Sequence, residues 1–301
     1  MLIIILNDHI RGRVSNEETF WSMLEKNLPN SLAMSTSEIS IPLEKKLSEI
    51  NPSLIIQNAN LGRISNYKTI SFLQDPLIEM EKHFESFRVK LRAKIRGREP
   101  YYPSRIKKQI ESLETSIKVT NSNYMAQMYE KVGKFKIIPM GVDHELFKPM
   151  DKDEMRKKYN IPKTKKVNIF VGSQHPIKGF DKIQKIINED SDVFWILVLK
   201  DVKLEPGHNY ITFQSISQST LAELYNCADK FVARSITESF GLASIEAMFC
   251  GLPVDVTNTG VFWDWHPECK DPRKEAMDYG LDKNTWMKNW LDFVNCCSKN
   301  S

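Results

Sequence analysis

Apolar residues in this chain fall into short unbroken runs separated by helical-period stretches. Residues 2–6 (Leu-Ile-Ile-Ile-Leu) form such a run, the mark of a strand covered on both faces of a parallel sheet. A polar stretch with one glycine, 7–13, follows it, then a helical pattern through Phe20, Met23 and Leu24, with Ser15 or Asn16 as cap. Residues 54–56, 69–73, 117–120 and 136–139 read as further short strands, with a helix near 125–129. A Pro- and charge-rich stretch, 148–153, interrupts the pattern, and strands are then expected at 167–171, 194–199, 230–233 and 253–257. Strands alternating with helices in this way predict two doubly wound α/β domains. The expected division is 1–145, 150–275 and a terminal segment 276–301. There Trp286, Trp290, Leu291 and Val294 make a helical stripe that packs back on the body. Ligands of such folds sit at the carboxyl ends of the strands, so the loops after Leu6, Leu73, Val171 and Ala233 are where chemistry is expected.

Composition narrows the class. The chain has 301 residues, 41% of them hydrophobic, which excludes a disordered chain. Residues 2–6 are too short for a signal-peptide core and lack basic residues in front. No apolar run approaches the roughly 18 residues that cross a bilayer. Five cysteines, odd in number and without a C-x-x-C pair, fit free thiols in a reducing cytoplasm and indicate no zinc site. The expected location is therefore cytoplasmic, with a peripheral membrane position left open by one charge feature. The net charge is +4, yet residues 88–108 hold nine Lys or Arg and one acid, leaving the rest of the chain acidic. Arg88, Lys90, Arg92, Lys94, Arg96 and Arg98 alternate with smaller or apolar residues, while Phe84, Phe87, Leu91 and Ile95 also make a helical stripe, so periodicity does not decide the element. Three readings stand for this segment: a solvated face, a contact with an anionic membrane surface, or a grip on a phosphate-rich or nucleic-acid acceptor.

The most informative stretch is 234–254. It reads as a strand end, a polar loop and a helix opening near Gly241 or Leu242, closed by Gly251 and Pro253. The backbone N–H groups of Gly241, Leu242 and Ala243 would lie at the helix N-terminus, a ready site for a phosphate. Glu238 in the loop and Glu246 inside the helix bracket that position and can accept hydrogen bonds from sugar hydroxyls.

Glu238 and Glu246, with Phe-Gly after the first and Ala-Met after the second, resemble the signature of the retaining glycosyltransferase family 4. The stretch 138–143, then Phe147-Lys148-Pro149, is similar to that family's interdomain segment. Phe170-Val171-Gly172 with Lys178-Gly179 resembles its phosphate loop, and 221–229 the helix before the signature strand. The resemblance runs from about 117 to 260. It implies a GT-B fold, two facing Rossmann-like domains with a donor cleft between them. It also implies transfer of a hexosyl- or pentosyl-type sugar from a UDP- or GDP-sugar to an acceptor hydroxyl with retention of configuration. No prosthetic group and no metal are implied. Lys178 would neutralise the donor diphosphate, and Glu238 would contact the transferred sugar. Glu246 would hold the nucleotide ribose, with Gly172, Ser173, Phe240, Gly241 and Leu242 lining the donor and Ile216 or Ser217 near the base. The acceptor, a glycan, a lipid or a nucleic acid, is assigned to the first domain, with Gly12, Gln74 and Asp75 as candidates.

Departures from the pattern carry information too. Ser173 stands where the family usually has an arginine that joins the lysine on the diphosphate; His175, Arg234 and Arg11 are candidate replacements. Gln74 stands where a histidine often lies near the reacting sugar, and the usual Gly-Gly of the first loop is reduced to Gly12. Trp263 and Trp265 read as packing residues. Two rival functions follow: a DNA-modifying glycosyltransferase gripping nucleic acid through 88–108, and a nucleotide-sugar-binding protein without transfer. A sugar-nucleotide epimerase on the same architecture is a weaker third.

Overall fold

The computed structural model describes residues 2–7, 16–84, 101–200 and 207–299. Gly12, Arg11 and the segment 88–100 lie outside the described residues. The chain divides into two compact units, one of Met1–Ile138 with Met287–Ser301, the other Pro139–Trp286.

The first unit is a six-stranded parallel sheet. Its strands are β1 (Ile3–Asn7), β2 (Ser31–Ser35), β3 (Leu54–Asn58), β4 (Thr69–Leu73), β5 (Ile117–Thr120) and β6 (Lys136–Ile137), in the order β2-β1-β3-β4-β5-β6. β1, β3 and β4 are buried along their whole length, which is why they read as unbroken or nearly unbroken apolar runs. The helices are α1 (Asn16–Asn27), α2 (Leu43–Ile50), α3 (Leu77–Phe84), α4 (Tyr101–Glu114) and α5 (Asn123–Met128). Ser122 caps α5 by accepting a hydrogen bond from the Met125 N–H. Helix α4 contains the second part of the basic segment and opens on Tyr101-Tyr102-Pro103, with the proline in the first turn, where its missing N–H costs no helical bond. There the Arg105 guanidinium lies 5.2 Å from the Tyr101 ring centre and donates to its hydroxyl at 2.6 Å. Trp290, from the end of the chain, packs edge-on against Phe72 and Phe20 at 5.5 and 5.9 Å, so the terminal segment supplies core to this unit.

The second unit holds β7 (Lys166–Gly172), β8 (Val193–Leu199), β9 (Tyr210–Gln214), β10 (Lys230–Val232) and β11 (Val254–Asp255), all parallel, in the order β11-β10-β7-β8-β9. Its helices are α6 (Lys152–Lys158), α7 (Phe180–Glu189), α8 (Gln218–Cys227), α9 (Leu242–Phe249) and α10 (Pro272–Asp278); α11 (Lys283–Lys299) starts in it and from Met287 onward belongs to the first unit. The chain winds outward through β7, β8 and β9, then returns to lay β10 on the other side of β7. The strand order therefore reverses between β7 and β10, and the crevice at their carboxyl ends is the binding position of a doubly wound sheet. Aromatic packing builds the floor: Phe170 and Phe180 lie 5.5 Å apart in a cluster with Trp195, Leu197 and Val232. Gly141 is required here by space, since a Cβ on it would lie 2.5 Å from that of Trp286.

The structure adds two strands to those expected, β2 and β9. Both are sheet edges, and neither is fully buried, so their sequences mix polar and apolar residues without a continuous run. Among the described residues no helix is long and apolar enough to cross a membrane. The five cysteines are all free.

Candidate functional site

The loops after β7 and β10 meet at the crevice. The first turns through a short 3-10 segment, Pro176–Lys178, and the second carries Arg234 to Phe240. They are laced together by main chain: the Ile236 N–H donates to the Ile177 carbonyl at 2.7 Å. Gly179 makes the close approach possible. Its φ is +65°, and a Cβ there would lie 2.0 Å from the Arg234 carbonyl oxygen, so only glycine fits on both counts.

This lacing sets Lys178 against Glu238. The Lys178 Nζ donates to both carboxylate oxygens, at 2.7 and 2.8 Å, and the Ser235 hydroxyl donates to Oε1 at 2.7 Å. Both side chains keep part of their surface exposed, 34% and 22%, so a ligand can reach them. The two residues are 60 positions apart in sequence.

Gly241, at φ +99°, is the N-cap of α9. Beside it, Gly260 lies close under Phe240: its Cβ would stand 2.4 Å from the Phe240 carbonyl, and the next N–H, of Val261, donates to that carbonyl at 2.9 Å. Phe240 is buried, while Gly241, Leu242 and Ala243 are half-buried, which leaves the first turn of α9 open at its N-terminal end, where backbone N–H groups lack helical acceptors.

Glu246 lies in the middle of α9, 6% exposed. The Tyr225 hydroxyl, from α8, donates to its Oε2 at 3.1 Å. Burial pushes the Glu246 carboxyl up to about 7, against the smaller opposing effect of that hydrogen bond. Burial and the nearby Glu246 charge push the Tyr225 hydroxyl well above its ordinary value.

The structure thus gathers Lys178, Glu238 and the α9 N-terminus on two laced loops, with Glu246 further along α9. Gly172 ends β7 at the root of the first loop, where an added Cβ would lie 3.7 Å from the Lys178 Cγ. Ser173 follows it and is half-buried. Ile216 and Ser217 lie on another loop of the same sheet. They follow β9, two strands beyond β7, and Ser217 caps α8 by accepting from the Thr220 N–H at 3.1 Å. Of the candidate partners for Lys178, Arg234 is committed to Asp255, donating to both its carboxylate oxygens at 2.9 and 3.0 Å. The exposed His175 accepts at Nδ1 from the Ile177 N–H. Trp265 stacks between Phe262 and Tyr279, at 5.7 and 4.5 Å, whereas Trp263 is 38% exposed.

Gln74 and Asp75 belong to the first unit, just past the end of β4. Asp75 accepts from the Asn60 amide. Gln74 is buried, and its Oε1 has no hydrogen-bond partner among the described residues. Asn121, just past β5, likewise has a buried oxygen without a partner among the described residues. Because Leu73 is opposite Thr120 in the register, these two amides leave the sheet side by side. Sequence reasoning named Gln74 and passed over Asn121, Tyr225 and Ser235. Tyr225 sits in a stretch that matched the family pattern, but nothing in a helical Tyr signals that its hydroxyl meets a residue on another helix.

Residues 151–264 match the family model described as glycosyl transferases group 1. A D-inositol 3-phosphate glycosyltransferase 2 of Catenulispora acidiphila is 30% identical over 151 residues, 42% of this chain and 35% of that protein. The corresponding enzyme of Streptosporangium roseum is 28% identical over 186 residues, 54% of this chain and 42% of that protein. The chain thus matches less than half the length of these curated relatives. Among solved structures, a sucrose-phosphate synthase from Thermosynechococcus elongatus superposes with a TM-score of 0.79 at 16% identity, covering 99% of both chains. HepE from Anabaena, solved in complex with UDP and glucose, superposes with a TM-score of 0.70 at 16% identity, over 98% of this chain and 100% of that one. The chain has the two-unit, Rossmann-like GT-B type of α/β fold of these structures, and its residues 151–264 are similar to the glycosyl transferases group 1 family.

Proposed function

We propose that this protein transfers a sugar from a nucleotide-diphosphate sugar to an acceptor hydroxyl, with retention of configuration and without a catalytic metal. The observation that carries the reading is the Lys178–Glu238 pair on the laced loops beside the N-terminus of α9. A diphosphate brings negative charge that grows as the sugar–phosphate bond breaks. A lysine and open backbone N–H groups supply a matching positive potential in fixed positions.

In this reading Lys178 leaves Glu238 for the diphosphate, and Glu238, still held by Ser235, turns its free acceptor capacity to the hydroxyls of the transferred sugar. Glu246, ionised, accepts from the ribose hydroxyls. The acceptor hydroxyl enters on the face the diphosphate leaves. A phosphate oxygen takes its proton, so no protein base is needed, and the new bond forms with retention. UDP is the first nucleotide to try, because the similar HepE structure was solved with it. The acceptor belongs with the first unit, where Gln74, Asp75 and Asn121 line the strand ends.

A second reading, nucleotide-sugar binding without transfer, has one observation in its favour. Ser173 removes the usual second cation, and Arg234 is already paired with Asp255. One experiment decides between them: purified protein is given UDP- and GDP-sugars with polyol, glycan and lipid acceptors. Transfer, or slow donor hydrolysis, with the anomeric configuration kept in the product supports the first reading. Inversion at the anomeric carbon overturns retention, and nucleotide binding with neither transfer nor hydrolysis establishes the second.

A further inference from the structure

Glu246 is buried in α9, and among the described residues its carboxylate has one hydrogen-bond partner, the Tyr225 hydroxyl. A buried carboxylate with a single donor has unused acceptor capacity, and its orientation depends on that donor. Tyr225 is in turn held rigidly. It is fully buried on α8, with its ring 6.1 Å from that of Phe147 and 6.2 Å from that of Phe231. The neighbouring Asn226 locks α8 to the preceding segment, donating to the Lys148 carbonyl at 3.0 Å and accepting from the Met150 N–H at 2.7 Å. The tyrosine hydroxyl is therefore delivered to Glu246 by an element anchored independently of α9.

We infer that Tyr225 is the positioning residue of the nucleotide site: its hydroxyl holds the Glu246 carboxylate ionised and turned so that its remaining acceptor sites face the ribose hydroxyls. The inference rests on the reading that Glu246 binds the ribose. Tyr225 itself need not touch the nucleotide; it acts through Glu246. The groups facing this carboxylate are few. Besides Tyr225 there is the Cys250 thiol, which burial and the Glu246 charge keep protonated, and near that thiol is Arg273. Arg273 spends its donors on the carbonyls of His144, Phe147 and Phe249. No cation pairs with Glu246 among the described residues, so the Tyr225 hydroxyl is the group that favours its charged form.

Since burial sets the Glu246 carboxyl near 7, nucleotide binding by the ionised form strengthens as pH rises through that region. A hydrogen bond donated to the carboxylate lowers the pH at which this happens, and its removal raises it. The test measures UDP affinity, with GDP and ADP in parallel, from pH 5.5 to 9 for the wild-type chain, Tyr225→Phe, Glu246→Gln and the double variant. Tyr225→Phe is expected to move the midpoint of the profile up by about one pH unit, which is about tenfold weaker binding on the acid side, with affinity recovered at pH 9. In the Glu246→Gln background the same change is expected to leave the profile flat and unchanged. Tyr225→Phe that weakens binding equally at every pH, or leaves the midpoint in place, overturns the positioning role. Glu246→Gln with wild-type affinity overturns instead the ribose reading beneath it, as does a wild-type chain that binds none of the three nucleotides. If Tyr225→Phe does not fold, Tyr225→Trp and Tyr225→His replace it, and the carboxyl-carbon NMR titration of Glu246 in the wild-type chain still reports whether ionisation and nucleotide affinity share one midpoint. Separate midpoints overturn the proposal.

Discussion

The two parallel sheets end in different chemistry. The strand ends of the second unit carry charge: Lys178 against Glu238 across two laced loops, Arg234 against Asp255, and the buried Glu246. Those of the first unit are lined by neutral amides and hydroxyls: Asn7, Asn58, Gln74, Thr120, Asn121 and Ser122, all buried. Among the described residues just past β4, the half-buried Asp75 carries a charge and accepts from the Asn60 amide. One fold is used twice. Under the proposed function a phosphate site needs fixed positive potential, and the second unit's carboxylates keep that potential paired. A site for hydroxyl groups needs acceptors and donors in fixed directions and gains little from charge. The buried, unpartnered oxygens of Gln74 and Asn121 suit that second task, since a buried acceptor without a donor is costly until a ligand hydroxyl fills it.

Breaking the charged end should have the largest effect. Lys178→Ala is expected to lower sugar transfer by about 10²–10³-fold, the cost of removing one fixed group that stabilises developing charge; steady-state transfer assays read this. Nucleotide affinity should fall less than turnover, because the added charge appears as the bond breaks.

Next comes the buried carboxyl. Glu246 has a folded-state value near 7, above the ordinary 4.5. The folded state therefore holds a proton that the unfolded chain has lost between those two pH values. Its favourable contribution is full below about pH 4.5 and disappears as pH rises to about 7. Glu246→Gln removes this dependence. Relative to wild type, the variant should gain about 3 kcal/mol between pH 4.5 and 8, measured by urea unfolding at fixed temperature. A constant difference across the range would mean that the carboxyl is solvated in the folded protein.

A smaller, local effect is expected from Gly179→Ala. The added methyl meets the Arg234 carbonyl, so the loops must part or the backbone strain, costing about 1–3 kcal/mol. Transfer should drop with it, because Lys178 and Glu238 share that lacing; the same change at Gly133, which also has positive φ but borders only the flexible Lys118 side chain, should reduce stability without touching transfer.

The smallest change sharpens the neutral end. Gln74→Met and Asn121→Leu replace unpartnered buried amides by apolar groups of similar size. Each should leave stability unchanged or raise it by about 1 kcal/mol, with nucleotide affinity intact and the acceptor KM raised. Loss of stability in both would mean that these amides are satisfied within the protein.

Legibility in the sequence followed burial. β1, β3, β4 and β8 were readable because a strand largely covered on both faces needs nearly continuous apolar residues. β2 and β9 were not, since an edge strand is half in water and Ser31-Leu32-Ala33-Met34-Ser35 looks like any mixed stretch. The carboxylates at 238 and 246 and the glycine turns were legible from their spacing and flanking residues, and the lysine at 178 from the family resemblance. Their mutual geometry was not, because a hydrogen bond between positions 60 apart leaves no periodic trace.

The sequence by itself determined the class of element at each buried strand, the two α/β halves and the residue types gathered at 172–179 and 234–246. Those follow from local rules: apolar runs, caps, and glycines where φ is positive. Only the tertiary structure decided that Lys178 rests on Glu238, that Arg234 is spent on Asp255, that Trp290 joins the core of the first unit, and that Tyr225 reaches Glu246. Each of these depends on where the chain returns after a crossover. The strand order of a sheet, which sets that return, is fixed by the packing of whole elements and is written in no local pattern.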